Sequence, residues 1–295
     1  MKHTRLNSFR LDISVALGGF LLAEGRLDKV QELLQEHAPK WSAGLYVWRY
    51  RQEKTPVDIS SPGALAKAVR ARAAERGQLF HELERQFGKE NSPRIFGSAE
   101  LRGVDNSLVL IVSLDEEVFV RIGNEWHWGN ELTFQVCRAR IDHVDSGMWS
   151  ARILEALCNT LSPIYAHAEM IEEYDRKNIS QEGGSTIAIG TDISKSLPGL
   201  YWLNFFGKPY RDLIGRERLL SAPAHAVREV DDGVLLALSE DPRDWTLGEY
   251  RAAEQQVVNH LGSQYFFSKK EPNRRTVAPH FDSSGPVGTA GIMRH

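Results

Sequence analysis

The sequence has little of what several classes of protein require. Only two of its 295 residues are cysteines, Cys137 and Cys158, too few for a disulfide framework or a structural zinc site. Both fall in apolar periodic segments, so we expect buried free thiols and a reducing compartment. No apolar run reaches the ~20 residues that a transmembrane helix needs. These shortages argue against a disulfide-stapled secreted domain and against a membrane-spanning protein.

The N-terminus starts with a basic stretch, MKHTRLNSFR, followed by an apolar segment over 13–23. Asp12 interrupts the approach to that segment, and no small-x-small cleavage motif follows before Glu24. Alternating apolar residues over 11–17 also suit a β-strand. We therefore interpret the segment as a strand rather than a secretion signal, and we predict a cytoplasmic protein.

Motifs of common catalytic sites are missing as well. The sequence contains no Gly-x-Gly-x-x-Gly, no Gly-x-x-x-x-Gly-Lys-Ser/Thr and no Gly-x-Ser-x-Gly. The first two motifs bind nucleotide phosphates and the third carries the nucleophile of α/β-hydrolases, so neither kind of site is indicated. His81-Glu82 begins a zincin-like pattern, but Arg85 stands where the second histidine is needed. We expect no cofactor.

A metal-dependent hydrolase is the enzymatic alternative. Asp142, His143 and Asp145 follow a predicted strand and have ligand-type side chains, although their spacing is not diagnostic of a metal site. Asp145 also suits a turn and helix start. We favour turn chemistry here and expect no metal.

Two other groupings could carry chemistry. His167 and Glu169 lie two residues apart on one side of a predicted strand, where they would form either an acid–base pair or a satisfied structural histidine. A cysteine–histidine nucleophile is disfavoured because thiols inside apolar elements are usually inert. We therefore predict that the protein is not an enzyme.

Charge is unevenly distributed along the chain. The net charge is −3, but residues 101–270 carry 17 Lys and Arg against 25 Asp and Glu, whereas residues 1–100 carry 16 against 12. The chain has no overall basic footprint, so we expect neither a nucleic-acid nor a membrane partner. An acidic surface in 101–270 would instead attract a basic protein.

Paired carboxylates recur in this acidic region at predicted strand ends and turns. Exposed pairs are commonly just solvated, but they also suit a surface that binds a basic protein such as a nuclease. The two tryptophans of NEWHWGN would anchor such a partner if exposed, and would be core if buried. The candidate partner-binding residues are Glu116, Glu117, Trp126, Trp128, Glu172, Glu173, Asp231, Asp232, Glu240 and Asp241.

The order of predicted elements indicates an α+β fold, mainly an antiparallel sheet with helices packed on it. Residues 200–206, LYWLNFF, are largely apolar at both odd and even positions, which point to opposite faces of a strand. This pattern predicts a strand covered on both faces rather than an aromatic platform for a ligand. Further predictions are strands at 9–17, 45–50 and within 94–141, helices at 26–38, 61–76 and 148–161, a hairpin turn at 231–232, and a final strand at 265–267.

Some segments are predicted from composition and capping signals. The polar stretch 176–198 is typical of a long surface excursion, and Thr246 with Glu249 forms a capping-box pattern. We predict one α+β domain over 1–270, with 1–90 either a separate lobe or strands of the same sheet, and a flexible or wrapping tail over 271–295.

The region 199–245 resembles the immunity protein 52 family. The resemblance lies in a Tyr-Trp-Leu-Asn-Phe strand, a glycine, a Gly-Arg-Glu-Arg helical segment and a hairpin that runs into Leu-Ser-Glu-Asp-Pro. It continues more loosely to about 267 and back to about 100. These are packing motifs, and no catalytic residue carries over from them.

The resemblance implies a bacterial immunity protein with an α+β fold. Such a protein binds and neutralises a cognate toxin that is delivered between bacteria, often by a contractile (type VI) secretion system. The implied toxin is a nuclease of the restriction-endonuclease type, inhibited by covering its active site or substrate groove. An interaction module of a secretion assembly, with no toxin of its own, is the other alternative.

Overall fold

The computed structural model describes residues 10–17, 25–37, 45–48, 54–58, 60–71, 97–103, 108–114, 119–122, 125–128, 131–137, 145–182 and 185–281. Within these residues the chain has an α+β fold, as the sequence predicts. The elements up to residue 137 are β1 (Arg10–Ala16), α1 (Arg26–His37), β2 (Leu45–Trp48), β3 (Lys54–Val57), α2 (64–71), β4 (Gly97–Gly103), β5 (Leu108–Leu114), β6 (Phe119–Ile122), β7 (Glu125–Trp128) and β8 (Glu131–Cys137).

The elements from residue 145 onward alternate more regularly between helix and strand. They are α3 (Asp145–Leu161), β9 (Tyr165–Met170), α4 (Ile171–Asn178), β10 (Ile179–Glu182), β11 (Ser185–Ala188), β12 (Leu203–Phe206), α5 (Lys208–Ile214), α6 (Arg216–Leu220), β13 (Ala226–Val230), β14 (Gly233–Ala237) and α7 (Gly248–Leu261). Two 3-10 turns, Pro242–Thr246 and Ser263–Tyr265, flank α7.

Ten of the strands form one antiparallel sheet in the order β13-β14-β12-β9-β1-β8-β5-β4-β2-β3. Strand β1 lies inside this sheet, where Ser14 is opposite both Thr133 of β8 and His167 of β9. The described N-terminal strands thus belong to the same sheet as the rest of the chain. The pairs β6–β7 and β10–β11 form two separate hairpins.

Helices cover both sides of the sheet at β9, β12 and β14. Neighbouring residues along a strand point to opposite faces, so each of these strands contributes side chains to both sides. We call the two sides the apolar face and the mixed face. The apolar face includes Ile13, Ala166 and Phe205 and packs against α1, α2 and α3. The mixed face includes Tyr165 and Phe206 and packs against α5, α6 and α7.

The aromatic segment at 200–206 is core, as predicted. All four residues of β12 are buried, and the strand lies between β9 and β14. Gly207 ends the strand because the chain passes very close to the preceding loop there: a Cβ at this position would lie 1.9 Å from the Pro163 carbonyl oxygen. Only glycine permits that approach.

Three local predictions are wrong. The stretch 176–198 is not merely a surface excursion, since Asn178 and Leu197 are fully buried. The capping box does not form: α7 has Leu247 at its N-cap, with no side-chain capping bond. Residues 265–267 make one isolated bridge from Phe266 to Leu197 in place of a strand, because the preceding residues form a 3-10 turn.

Residues 271–281 wrap against the body of the protein. Ala278 is buried, and the Arg274 guanidinium donates to the Phe266 carbonyl oxygen at 2.7 Å. The predicted tail beyond 281 lies outside the described residues, as does the predicted continuation of α2 to residue 76. None of the helices in the described ranges is long and apolar enough to cross a membrane.

Candidate partner-binding surface

Four of the ten candidate residues bracket the hairpin β13–β14 at the edge of the sheet. Asp231 and Asp232 form its two-residue turn, and Glu240 and Asp241 follow β14 at its other end. Strand β13 pairs with β14 alone among the described strands, and three of its five residues are exposed. The hairpin therefore presents an open sheet edge with carboxylates at both ends.

The turn itself is held by specific contacts. Asp231 adopts a left-handed conformation with φ of 50°, which aspartate tolerates better than most residues. Its carboxylate accepts a hydrogen bond from the Ser162 hydroxyl at 2.6 Å. The pKa of the half-buried Asp232 carboxyl is raised, mainly by burial and secondarily by the neighbouring Asp231 carboxylate. The hydrogen bond from Ser162 fixes the turn, so the Asp231 and Asp232 carboxyl groups are held in a defined position.

The two carboxylates after β14 differ in their surroundings. Asp241 accepts from the Arg243 backbone N–H at 2.8 Å and from its guanidinium, and the hydrogen bond from the Arg243 side chain lowers the pKa of Asp241. Glu240 is exposed and makes no ion pair with any residue that the structure describes. Glu240 is therefore the carboxylate of this pair that is available to a partner.

An apolar cleft of about 200 Å³ lies beside Glu240. Its floor is made of buried side chains, namely Trp202, Leu203 and Leu235. Its rim is made of exposed residues and includes Glu240 and Arg228. We call this the edge cleft. It was not predicted from the sequence, because its residues come from α3, β12 and the edge hairpin, which are far apart along the chain.

The pair Glu172 and Glu173 does not behave as an exposed acidic pair. Glu173 is fully buried: its carboxylate is 2.7 Å from the Lys177 ammonium and accepts from the Tyr250 hydroxyl at 2.8 Å. A carboxylate enclosed in this way cannot contact a partner, so the prediction for Glu173 is wrong. Glu172 is half-buried on the same helix.

The remaining candidates are only partly described. Glu116 and Glu117 lie outside the described residues, as do Asp142 and His143 of the possible metal site. Trp126 and Trp128 lie in β7, of which the backbone alone is described. Within the described ranges, no group of three or more histidine, cysteine or acidic side chains has the geometry to hold a metal ion.

The possible acid–base pair is present on the mixed face, as the alternation of β9 predicts. The His167 Nε2 atom is 3.3 Å from the nearer Glu169 carboxylate oxygen. The His167 ring is stacked between Tyr165 and Tyr201, with ring centroids 5.3 and 4.6 Å away. Its side chain is 11% exposed. A histidine held between two rings favours the structural role over the catalytic one.

The polar cluster continues from His167 across the sheet. Burial raises the pKa of the Glu131 carboxyl, an effect opposed by the neighbouring His167 and by a hydrogen bond with the Ser14 hydroxyl. Burial also raises the pKa of the Tyr165 and Tyr201 phenols far above the usual range. Both phenols therefore stay protonated and act as hydrogen-bond donors.

Of the two cysteines that could act as a nucleophile, Cys137 and Cys158, only the Cys158 side chain is described. Cys158 lies inside α3 with no exposure, and burial raises the pKa of its thiol well above the usual value. A thiol of raised pKa forms little of the reactive thiolate. For Cys158 this confirms the expectation of a buried free thiol.

Comparisons with known proteins do not confirm the family prediction. No family model matches the chain, and no curated protein matches it. Among solved structures, the chain is similar to the Pseudomonas aeruginosa T6SS protein PA0821, with a TM-score of 0.41 and 9% identity over 90% of this chain and 83% of that one. The assignment to the immunity protein 52 family stays a prediction.

Proposed function

We propose that the protein is a cytoplasmic immunity protein, not an enzyme, that binds and neutralises a cognate bacterial toxin. The proposed toxin is a nuclease with a restriction-endonuclease-like domain, and the proposed inhibition is coverage of its active site or substrate groove. The observation that supports this proposal is the open edge hairpin, which carries carboxylates at both ends and has the edge cleft beside it.

The chemistry of that edge suits a nuclease. A protein that binds a nucleic acid contacts its phosphates with lysine and arginine side chains, so its substrate groove is basic. Carboxylates around an exposed sheet edge are complementary to such a groove and speed association with it. The apolar floor of the edge cleft would add the burial that steering by charge does not supply.

The first test measures whether the protein binds the product of the adjacent gene and whether it rescues cells that express that product. We expect the protein to co-purify with that product and to restore growth of cells that express it. Binding should weaken at high salt, because exposed charges are screened. Absence of both binding and rescue would overturn the proposal.

A matched pair of charge reversals locates the contact. Glu240→Lys at the edge cleft and Glu32→Lys on the exposed side of α1 change the net charge equally. We expect the first to weaken binding about tenfold, mostly through slower association, and to reduce its salt dependence. The second should leave the affinity within about twofold. Equal effects would show that the edge cleft is not the contact.

A further inference from the structure

The edge cleft has the size of a site for one side chain. At about 200 Å³ it is smaller than the ~300–1,000 Å³ of typical small-molecule pockets. Trp202, Leu203 and Leu235 are buried beneath it, so its floor is apolar. Small side chains leave the space open, since three of the lining residues are alanines, Ala151, Ala226 and Ala237.

The polar groups around the cleft leave one unbalanced charge. The Arg228 guanidinium on the rim donates to the Glu155 carboxylate at 2.6 Å, so its charge is already compensated. The Trp202 indole N–H donates to the Ser239 carbonyl oxygen at 3.0 Å, so this donor is already satisfied. Glu240 has no ionic partner among the residues that the structure describes.

We propose that the edge cleft receives one arginine side chain from a basic partner protein. The aliphatic stem would cover Leu203 and Leu235, and the guanidinium would bind the Glu240 carboxylate. Arginine fits better than lysine because a planar guanidinium binds a carboxylate through two N–H groups, whereas an ammonium is a point charge. An apolar side chain would fill the floor but leave Glu240 unpaired. This inference rests on the proposed function, in that the toxin would supply the arginine.

The test uses the full chain and a small probe, N-acetyl-arginine-methylamide. Its controls are the citrulline analogue, which keeps the shape without the charge, and the norleucine analogue, which keeps the stem alone. Binding is followed by nuclear magnetic resonance at the indole N–H of Trp202, assigned with the variant Trp202→Phe. We expect the arginine probe to shift this resonance and to bind at least tenfold more tightly than either control.

The variants Glu240→Gln and Glu32→Gln separate the site from general charge. The first should weaken binding of the arginine probe about tenfold, whereas the second should leave it unchanged. Equal binding of the norleucine probe, or no shift with any probe, would overturn the inference. Rescue without probe binding would contradict the arginine site but keep the immunity function. Probe binding without toxin binding or rescue would support the arginine site but contradict the immunity function.

Discussion

The two faces of strand β9 are equally buried but are built in opposite ways. All six of its residues are buried. Ala166, Ala168 and Met170 belong to the apolar face, whereas His167 and Glu169 lie on the mixed face. The apolar face gains stability from removing surface from water, which has no preferred direction. The mixed face needs each polar group to meet a partner, because a buried polar group without one is costly.

The mixed face meets that need through side chains from distant segments. The Asn204 side chain accepts from the Tyr201 backbone N–H at 2.9 Å and from the Tyr165 hydroxyl at 3.2 Å. Tyr201 in turn donates to the Asn178 side chain at 2.5 Å. The comparison predicts that volume matters most on the apolar face, and chemical identity on the mixed face.

The largest effect is expected from a volume change on the apolar face. Phe205 is fully buried there, so Phe205→Ala should lower the free energy of unfolding by about 3–5 kcal/mol, through lost transfer energy and the cavity left behind. Urea denaturation measures this. The control Met148→Ala, at a side chain that is 51% exposed, should change it by less than about 0.5 kcal/mol. A loss below about 1 kcal/mol at Phe205 would mean that this face is loosely packed.

A somewhat smaller effect is expected from a change of chemistry on the mixed side. Glu173→Ala removes the acceptor of the Tyr250 hydroxyl and one partner of Lys177. We expect a loss of about 3 kcal/mol, because the remaining buried groups lose their compensation. Lys177 keeps Glu254 at 2.8 Å, which limits the loss.

The control for this prediction is Glu173→Gln, which keeps the size and an oxygen acceptor for Tyr250. Its cost should be well below that of Glu173→Ala, whereas equal costs for the two variants would show that the network contributes only packing. Both free energies come from the same urea denaturation.

The smallest effect is a pH dependence specific to Glu173. Burial raises the pKa of this carboxyl above its usual 4.5, against the attraction of Lys177. Between 4.5 and the raised value the folded state holds the proton that the unfolded state has lost, so stability falls as pH rises through that window. The free energy of unfolding of the wild type, minus that of Glu173→Gln, should therefore fall as the pH is raised above 4.5. A difference that rises there would contradict the sign.

Elements with a strong local pattern could be predicted from the sequence. The alternation of YAHAEM places His167 and Glu169 on one side of a strand, and the structure confirms it. Segment 200–206 is apolar on both faces of the predicted strand, which predicts a strand covered on both sides. The structure confirms this, because β12 (Leu203–Phe206) lies inside the sheet. In both cases the side-chain period of a strand is enough, because it depends on neighbouring residues alone.

Helix α4 shows where such patterns stop being informative. It has eight residues, IEEYDRKN, with too few apolar positions to reveal which side is buried. Glu173 resembles any other exposed acid until Tyr250, 77 residues later, is brought against it. The edge cleft is a similar case, since it exists only where α3, β12 and the hairpin β13–β14 come together.

The sequence alone therefore determines the α+β class, the covered strand at 200–206, the hairpin at 231–232 and the acidic balance of 101–270, because each depends on period, composition or adjacent residues. The tertiary structure decides which carboxylates face solvent and which are buried. It places Glu173 inside a hydrogen-bonded network and leaves Glu240 beside an apolar cleft. That choice depends on contacts between residues far apart in the chain, and these contacts set both the desolvation and the partners of each charge.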